Sequence, residues 1–165
     1  MLYDGKLRNM TAIYLMQGDK MLLLYRQGSK VVSNMWIGAA GGHFEENELN
    51  NPKACVLREL KEELGITEDM LRDLKLRYIV LRGAKDEIRQ NYYFFAELSK
   101  EYEGELSSNE GELKWFCFEE IPELKMPLST QCALEHYLRV GRYDDKVYAG
   151  IADGEKVVFT EVVEF

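Results

Sequence analysis

Two β-rich apolar runs, residues 11–16 (TAIYLM) and Lys20–Arg26 (KMLLLYR), are separated only by Gln17, Gly18 and Asp19, a pattern that predicts a hairpin. From residue 52 the apolar spacing changes to the helical period. Asn51 can cap, Pro52 suits the first helical position and Gly65 the position just past the end, so a helix is expected over Pro52–Leu64. A second, short helix is expected over 67–74. Residues 76–81 and 88–98 read as strands around a turn at 83–86, and 113–118 as a further strand. Pro127 marks a break, after which Ser129 is expected to cap a helix running to about Val140, with Ala133, Leu134, Tyr137 and Leu138 on one buried face. Residues 146–151 and 156–163 flank Asp153 and Gly154 as a terminal hairpin. Strands interleaved with a few helices predict an α/β fold, a mixed sheet covered by helices.

Composition narrows the function classes. With 165 residues, 46% of them hydrophobic and 30% charged, one folded domain is expected. No apolar run approaches the ~18 residues of a membrane span and the first ten residues lack a signal-peptide core, so a cytoplasmic location is expected, with no membrane partner. Cys55, Cys117 and Cys132 are odd in number, lack paired spacing and sit in apolar stretches, which reads as buried thiols in a reducing compartment. The net charge of −8 argues against a nucleic-acid polymer as ligand, since such binding rests on Lys and Arg neutralising phosphates. A small phosphorylated ligand remains compatible if a divalent cation supplies the positive charge.

The helix over Pro52–Leu64 carries the candidate chemistry. Glu59, Glu62 and Glu63 fall on one face (i, i+3, i+4), while Leu57, Leu60 and Leu64 point largely away. Three adjacent carboxylates repel, and either solvent or a hard cation such as Mg²⁺ must offset that. Upstream, Gly41 and Gly42 allow the backbone to approach a metal or phosphate closely. The string GGHFEENELNNPKACVLRELKEELGI, residues 41–66, resembles the Nudix box, the signature of the Nudix hydrolases. Gly42, Glu48, Arg58, Glu59, Leu60, Glu62, Glu63, Gly65 and Ile66 supply each specified residue. There is one departure. Nine residues separate Glu48 from Arg58 where the family pattern has seven, and the expansion is expected within 49–51, ahead of an intact helix.

That resemblance implies the Nudix α/β/α sandwich, here with a C-terminal β-hairpin, and within the family the MutT-type layout. It implies that Glu59, Glu62 and Glu63 bind Mg²⁺ or Mn²⁺, with Gly41 giving its carbonyl and Arg58 orienting Glu59. Glu110 is the choice for a more distant metal-binding acid and Glu112 the runner-up. The implied reaction is attack of water on phosphorus in a diphosphate linkage, with Glu59 or Glu110 taking the proton. Arg26, His43 and Gly42 are candidates for contact with substrate phosphates, His136 is expected to be structural, and Trp36 and the aromatics at 92–95 divide between base stacking and core.

The expected substrate is a small-molecule nucleotide, foremost a purine nucleoside triphosphate or its oxidised form cleaved to the monophosphate and pyrophosphate. Ser129, Thr130 and Gln131 are candidates to read a base edge. ADP-ribose or a nucleotide sugar is the competing substrate, and would call for more basic residues than Arg26 alone. Two other classes are a Nudix-fold nucleotide sensor without catalysis, which would not need three repelling carboxylates, and an isoprenoid-diphosphate isomerase, for which Cys55 has no evident acidic partner outside the metal cluster. The terminal hairpin offers an edge able to pair with a second copy as a homodimer.

Overall fold

The computed structural model describes residues 5–27, 34–100 and 105–165. Strand β1 (Leu7–Gln17) turns at Gly18 and Asp19 into β2 (Lys20–Arg26), so the predicted hairpin forms, but the two strands pair only over Leu15–Leu22, Met16–Met21 and Gln17–Lys20. Beyond that they part, and β3 (Met35–Gly38) and β4 (Ala40–His43) fill the gap. β3 pairs with β2 and β4 with β1, with fully buried Ala39 at the corner between them. On its other edge β1 runs parallel to β6 (Glu87–Leu98), which continues to β5 (Leu71–Ala84), β8 (Tyr148–Ala152) and β9 (Val157–Glu161), while β7 (Gly111–Cys117) pairs with β2. The sheet therefore contains parallel and antiparallel neighbours, as an α/β mixed sheet should.

Alternation along the strands divides the core into two layers. Ile13 and Leu15 of β1 and Phe94 and Ala96 of β6 pack with Val56, Leu60 and Leu64 of helix α1 (Pro52–Leu64). Tyr14 and Met16 on the opposite face pack with Tyr93, Phe95 and with Ala133, Leu134 and Tyr137 of helix α2 (Leu128–Arg139). One helix on each face of the sheet is the α/β/α arrangement.

Three expectations change. Residues 67–74 form no helix: a single 3₁₀ turn at Glu68–Met70 gives way to β5, because the Ser99 amide donates to the Met70 carbonyl and Leu71 pairs with Leu98, so the edge of β6 captures the segment. Ser129 does not cap α2. The helix begins two residues earlier, with Pro127 as its N-cap and the Pro127 carbonyl accepting from the Gln131 amide, and Ser129 and Thr130 are buried in its first turn. Of the cysteines only Cys55 is buried; Cys117 and Cys132 are partly exposed, and all three are free thiols. Among the described residues no helix is long and apolar enough to cross a membrane.

Candidate active site

Helix α1 is held at both ends as its sequence predicts. Asn51 Oδ1 accepts from the Ala54 amide at 3.1 Å, and Gly65 takes the left-handed conformation (φ 68°) while its amide donates to Lys61 O. With the helix so registered, Arg58 reaches back over the preceding loop. Its Nε donates to Glu48 Oε1 at 2.5 Å and its Nη2 to Glu48 Oε2 at 3.1 Å and to the His43 carbonyl at 3.1 Å. Its Nη1 donates to Glu59 Oε1 at 2.9 Å and to Glu62 Oε2 at 3.2 Å. Glu48, only 3% exposed, is held down to a pKa of about 2, chiefly by the Arg58 hydrogen bonds and further by the Glu45 amide, while burial opposes. The expanded loop leaves this clamp in place: a 3₁₀ turn over Glu46–Glu48 precedes Leu49, which projects outward at 58% exposure.

The glycine pair permits contacts that no side chain would. A Cβ at Gly41 would lie 2.1 Å from the Thr11 carbonyl oxygen, and one at Gly42 would lie 2.5 Å from Glu59 Oε1. β4 thus lies directly against the acidic face of α1, and the Gly41 amide donates to Glu63 Oε2 at 3.3 Å. Burial, then the charge of Glu59, raise the pKa of Glu63 to about 7; the Gly41 amide opposes this and Glu110 adds to it. Glu110 itself accepts from Arg26 Nη2 at 3.1 Å, joining the ends of β2 and the turn before β7.

Among the described residues no three His, Cys, Asp or Glu side chains stand assembled as a metal cage. Glu59 and Glu62 are instead turned onto Arg58, and Glu62 is 59% exposed. The donor set nonetheless fits a hard divalent cation. Its side-chain donors are all carboxylate oxygens, and the pKa of Glu63 is raised by burial and by the charge of Glu59, a repulsion that a bound cation would offset.

Part of this arrangement borders a cavity of about 590 Å³ walled by residues of β1, β2, β3 and β4, whereas Arg58, Glu59 and Glu62 are not in its lining. Gly41, Gly42, His43, Glu63, Arg26 and Glu110 line it, as do Ser129 and Thr130. Glu112 is exposed and outside it, and Gln131 instead donates to Glu135 on the surface of α2. Of the aromatics proposed for stacking, only Tyr93 lines the cavity. Phe94 and Phe95 are core, Trp36 packs on Tyr25 and Phe116 at centroid distances of 4.9 and 4.7 Å, and Tyr92 packs on Phe44. His136 meets the Tyr78 hydroxyl at 2.8 Å, away from the cavity. Burial, then the neighbouring Arg8 and Arg89, hold the His43 pKa below its ordinary value.

Sequence reasoning missed Arg82, Arg89 and Asn91 in this cavity, and Ala152 and Gly154 at the tip of the terminal hairpin. Arg89 and Asn91 carried a usable signal, which Arg82, on β5, did not. Arg89, Asn91 and Tyr93 occupy alternate positions of β6 and hence one face.

A sequence model of the NUDIX domain matches residues 6–137. Among solved structures the chain is similar to a mutator MutT protein from Bacillus halodurans, at 23% identity over 93% of this chain and 97% of that one, with a TM-score of 0.65. It is similar also to a MutT protein from Methanosarcina mazei Go1 (20% identity, 86% and 99% covered, TM-score 0.67) and to an Ap4A hydrolase from C. elegans (18%, 84% and 99%, 0.63). No curated protein matches the chain.

Proposed function

The chain belongs to the Nudix family of hydrolases, which act on diphosphate linkages in nucleoside diphosphate derivatives, and we propose on that premise that its substrate is a purine nucleoside triphosphate or the oxidised form of one. The products are then the monophosphate and pyrophosphate. The observation that carries this reading is the continuity of one cavity from Gly41, Glu63 and Arg26 to Tyr93, Asn91, Ser129 and Thr130, which gives phosphate-side chemistry and a polar, aromatic wall for a base in a single space.

The family generally uses a divalent metal, and Mg²⁺ or Mn²⁺ would be held by Glu59, Glu62 and Glu63 with the Gly41 carbonyl, and by Glu110. When bound it would neutralise phosphate charge and lower the pKa of an attacking water. The protein's own part follows from the contacts described. Arg58, anchored on Glu48, holds Glu59 in position. Glu59 or Glu110 takes the proton of the attacking water. Arg26, on leaving Glu110, offers a planar guanidinium to a phosphate, and Gly42 and His43 border the phosphates without crowding them. The Cys55 thiol, raised by burial to about 11, is protonated at neutral pH, which counts against isomerase chemistry through that residue.

A second reading has one observation in its favour. Arg82 and Arg89 in the cavity supply the extra basic residues that ADP-ribose or a nucleotide sugar would use. The test is a side-by-side kcat/KM comparison of dGTP, oxidised dGTP, ATP and ADP-ribose with Mg²⁺, and with excess EDTA as control. The triphosphate reading expects dGTP or its oxidised form to lead; a tenfold or greater preference for ADP-ribose, about 1.4 kcal/mol in transition-state binding, overturns it. Binding without turnover of any of them would favour the sensor. A homodimer through the β9 edge is proposed from the exposed Val158, Val162 and Val163, and sedimentation at increasing concentration tests it.

A further inference from the structure

Register places three arginines in one row across three neighbouring strands. Arg8 of β1 is opposite Arg89 of β6, and Arg89 is opposite Arg82 of β5. Directly opposed residues point to the same face, and alternation from Arg89 through Asn91 and Tyr93 to Phe95 puts the row on the face that carries α2. Like charges directly opposed on neighbouring strands are destabilising. One carboxylate answers the row: Glu87 Oε1 lies 2.8 Å from Arg89 Nε and 3.2 Å from Arg8 Nε. The Arg82 side chain, partly buried, makes no hydrogen bond or ion pair among the described residues. In a chain of net charge −8, three positive groups against one negative group at the edge of a cavity is a local excess that folding alone does not use.

The position of the row defines what it can meet. Gly41 pairs with Ala12, and the Arg8 rung lies four residues back along β1, about 13 Å at the ~3.3 Å rise of a strand. Both Arg82 and Arg89 line the same cavity as Glu63 and Gly41, with Asn91, Tyr93, Ser129 and Thr130 also in its wall. The separation is on the scale of a nucleotide and exceeds that of two adjacent phosphates. A second anion at that distance would face the Arg82 guanidinium, which no carboxylate among the described residues contacts directly.

We propose that Arg82 and Arg89 form a subsite for a second phosphate, carried on the sugar of the nucleotide and separate from the diphosphate linkage that is cleaved. The substrate class is therefore a ribose-phosphorylated nucleoside diphosphate derivative. This deepens the reading of the cavity as a Nudix hydrolase site and rests on it.

Two measurements separate the inference from that reading. The first compares kcat/KM for ATP with that for its 2′-phosphate and 3′-phosphate derivatives, with Mg²⁺. At least one derivative is expected to exceed ATP tenfold or more, and the ratio is expected to fall to within threefold of unity in Arg82→Gln and in Arg89→Gln, while Arg82→Lys retains part of it. The second is calorimetric binding of adenosine 2′,5′-bisphosphate and 3′,5′-bisphosphate against AMP, which needs no turnover. A bisphosphate is expected to bind at least tenfold tighter than AMP, with the difference lost in the Gln variants and reduced by raising NaCl from 50 to 500 mM. Equal handling of all members in the wild type, or a preference that survives both Gln substitutions, overturns the subsite and leaves the hydrolase reading standing. A bisphosphate preference in binding with no hydrolysis of any triphosphate would sustain the subsite and overturn the triphosphate reading. Should a Gln variant fail to fold, the Lys variant and the salt dependence in the wild type decide the matter.

Discussion

Arg58 donates to the carboxylates of Glu48, Glu59 and Glu62 at once, while Glu63 is left to the Gly41 amide, and this division sets what each acid does. Replacing Glu63 with Gln is expected to lower kcat by about 10²-fold or more, the scale of losing a major charge-stabilising group, in a protein whose circular dichroism is unchanged. The same residue makes the metal-free protein pH-sensitive. Its folded pKa of about 7 lies above its ordinary 4.5. The folded chain therefore holds an extra proton between those values, so this contribution to stability is whole below pH ~4.5 and is lost as pH rises through ~7. Thermal melts in EDTA are expected to show Tm falling from pH 5 to 8 by an amount that Glu63→Gln reduces; a slope identical in wild type and variant would assign the effect elsewhere. At this scale the acids were legible, since a helix face follows from spacing alone. The raised pKa was not, because it comes from burial against β4 and from Glu59 and Glu110, one of which lies 47 positions away in the chain.

Helix α1 matched its expected limits at both ends because its stop signals are local: Asn51 and Pro52 at the start and Gly65 at the end. The two-residue expansion expected before the helix is a matter of the same few residues. Asn51, however, is the N-cap, so the residues that can be removed are Leu49 and Asn50. Deleting those two is expected to leave Mg²⁺ binding by calorimetry within about threefold, whereas deleting Asn50 and Asn51 costs roughly 1 kcal/mol more in stability through the lost cap. Equal stability of the two deletions in urea titrations would contradict the capping role. Elements whose state depends on partners were harder to read. Residues 67–74 were taken by the edge of β6, and β5 contains register shifts between Arg72 and Lys75 and between Leu76 and Tyr78. The second shift sends Leu74 and Leu76 to the α1 layer and Tyr78 and Val80 to the α2 layer, although all four have the same parity in sequence.

Across the whole molecule, buried Arg77, at that second shift, ties the sheet to the segment between α2 and β8. Its Nε donates to Lys146 O at 2.8 Å, and its Nη2 to Gly141 O at 2.6 Å and to Asp144 Oδ1 at 2.9 Å. Arg77→Met takes the side-chain donor from Lys146 O, while Gly141 O keeps the Asp144 amide and Asp144 Oδ1 keeps the Lys146 amide, and the change is expected to cost about 2 kcal/mol. Urea unfolding measures the loss, and a change below 0.5 kcal/mol would show that water satisfies these groups instead. The part of this protein determined by its sequence alone comprises the hairpins, the two main helices, the α/β class and the Gly-to-Glu motif with its acidic helix face. Most of these follow from spacing, capping and turn chemistry within a few residues, the start of α2 excepted, and the motif from its resemblance to the Nudix box. Tertiary structure alone decided that β1 and β2 part to receive β3 and β4, that Glu110 lines the cavity and Glu112 does not, and that Arg8, Arg89 and Arg82 share one row. Those outcomes depend on strand register between distant segments. Register is set by which side chains can be buried together across the sheet, a condition that becomes definite only when all the layers are packed.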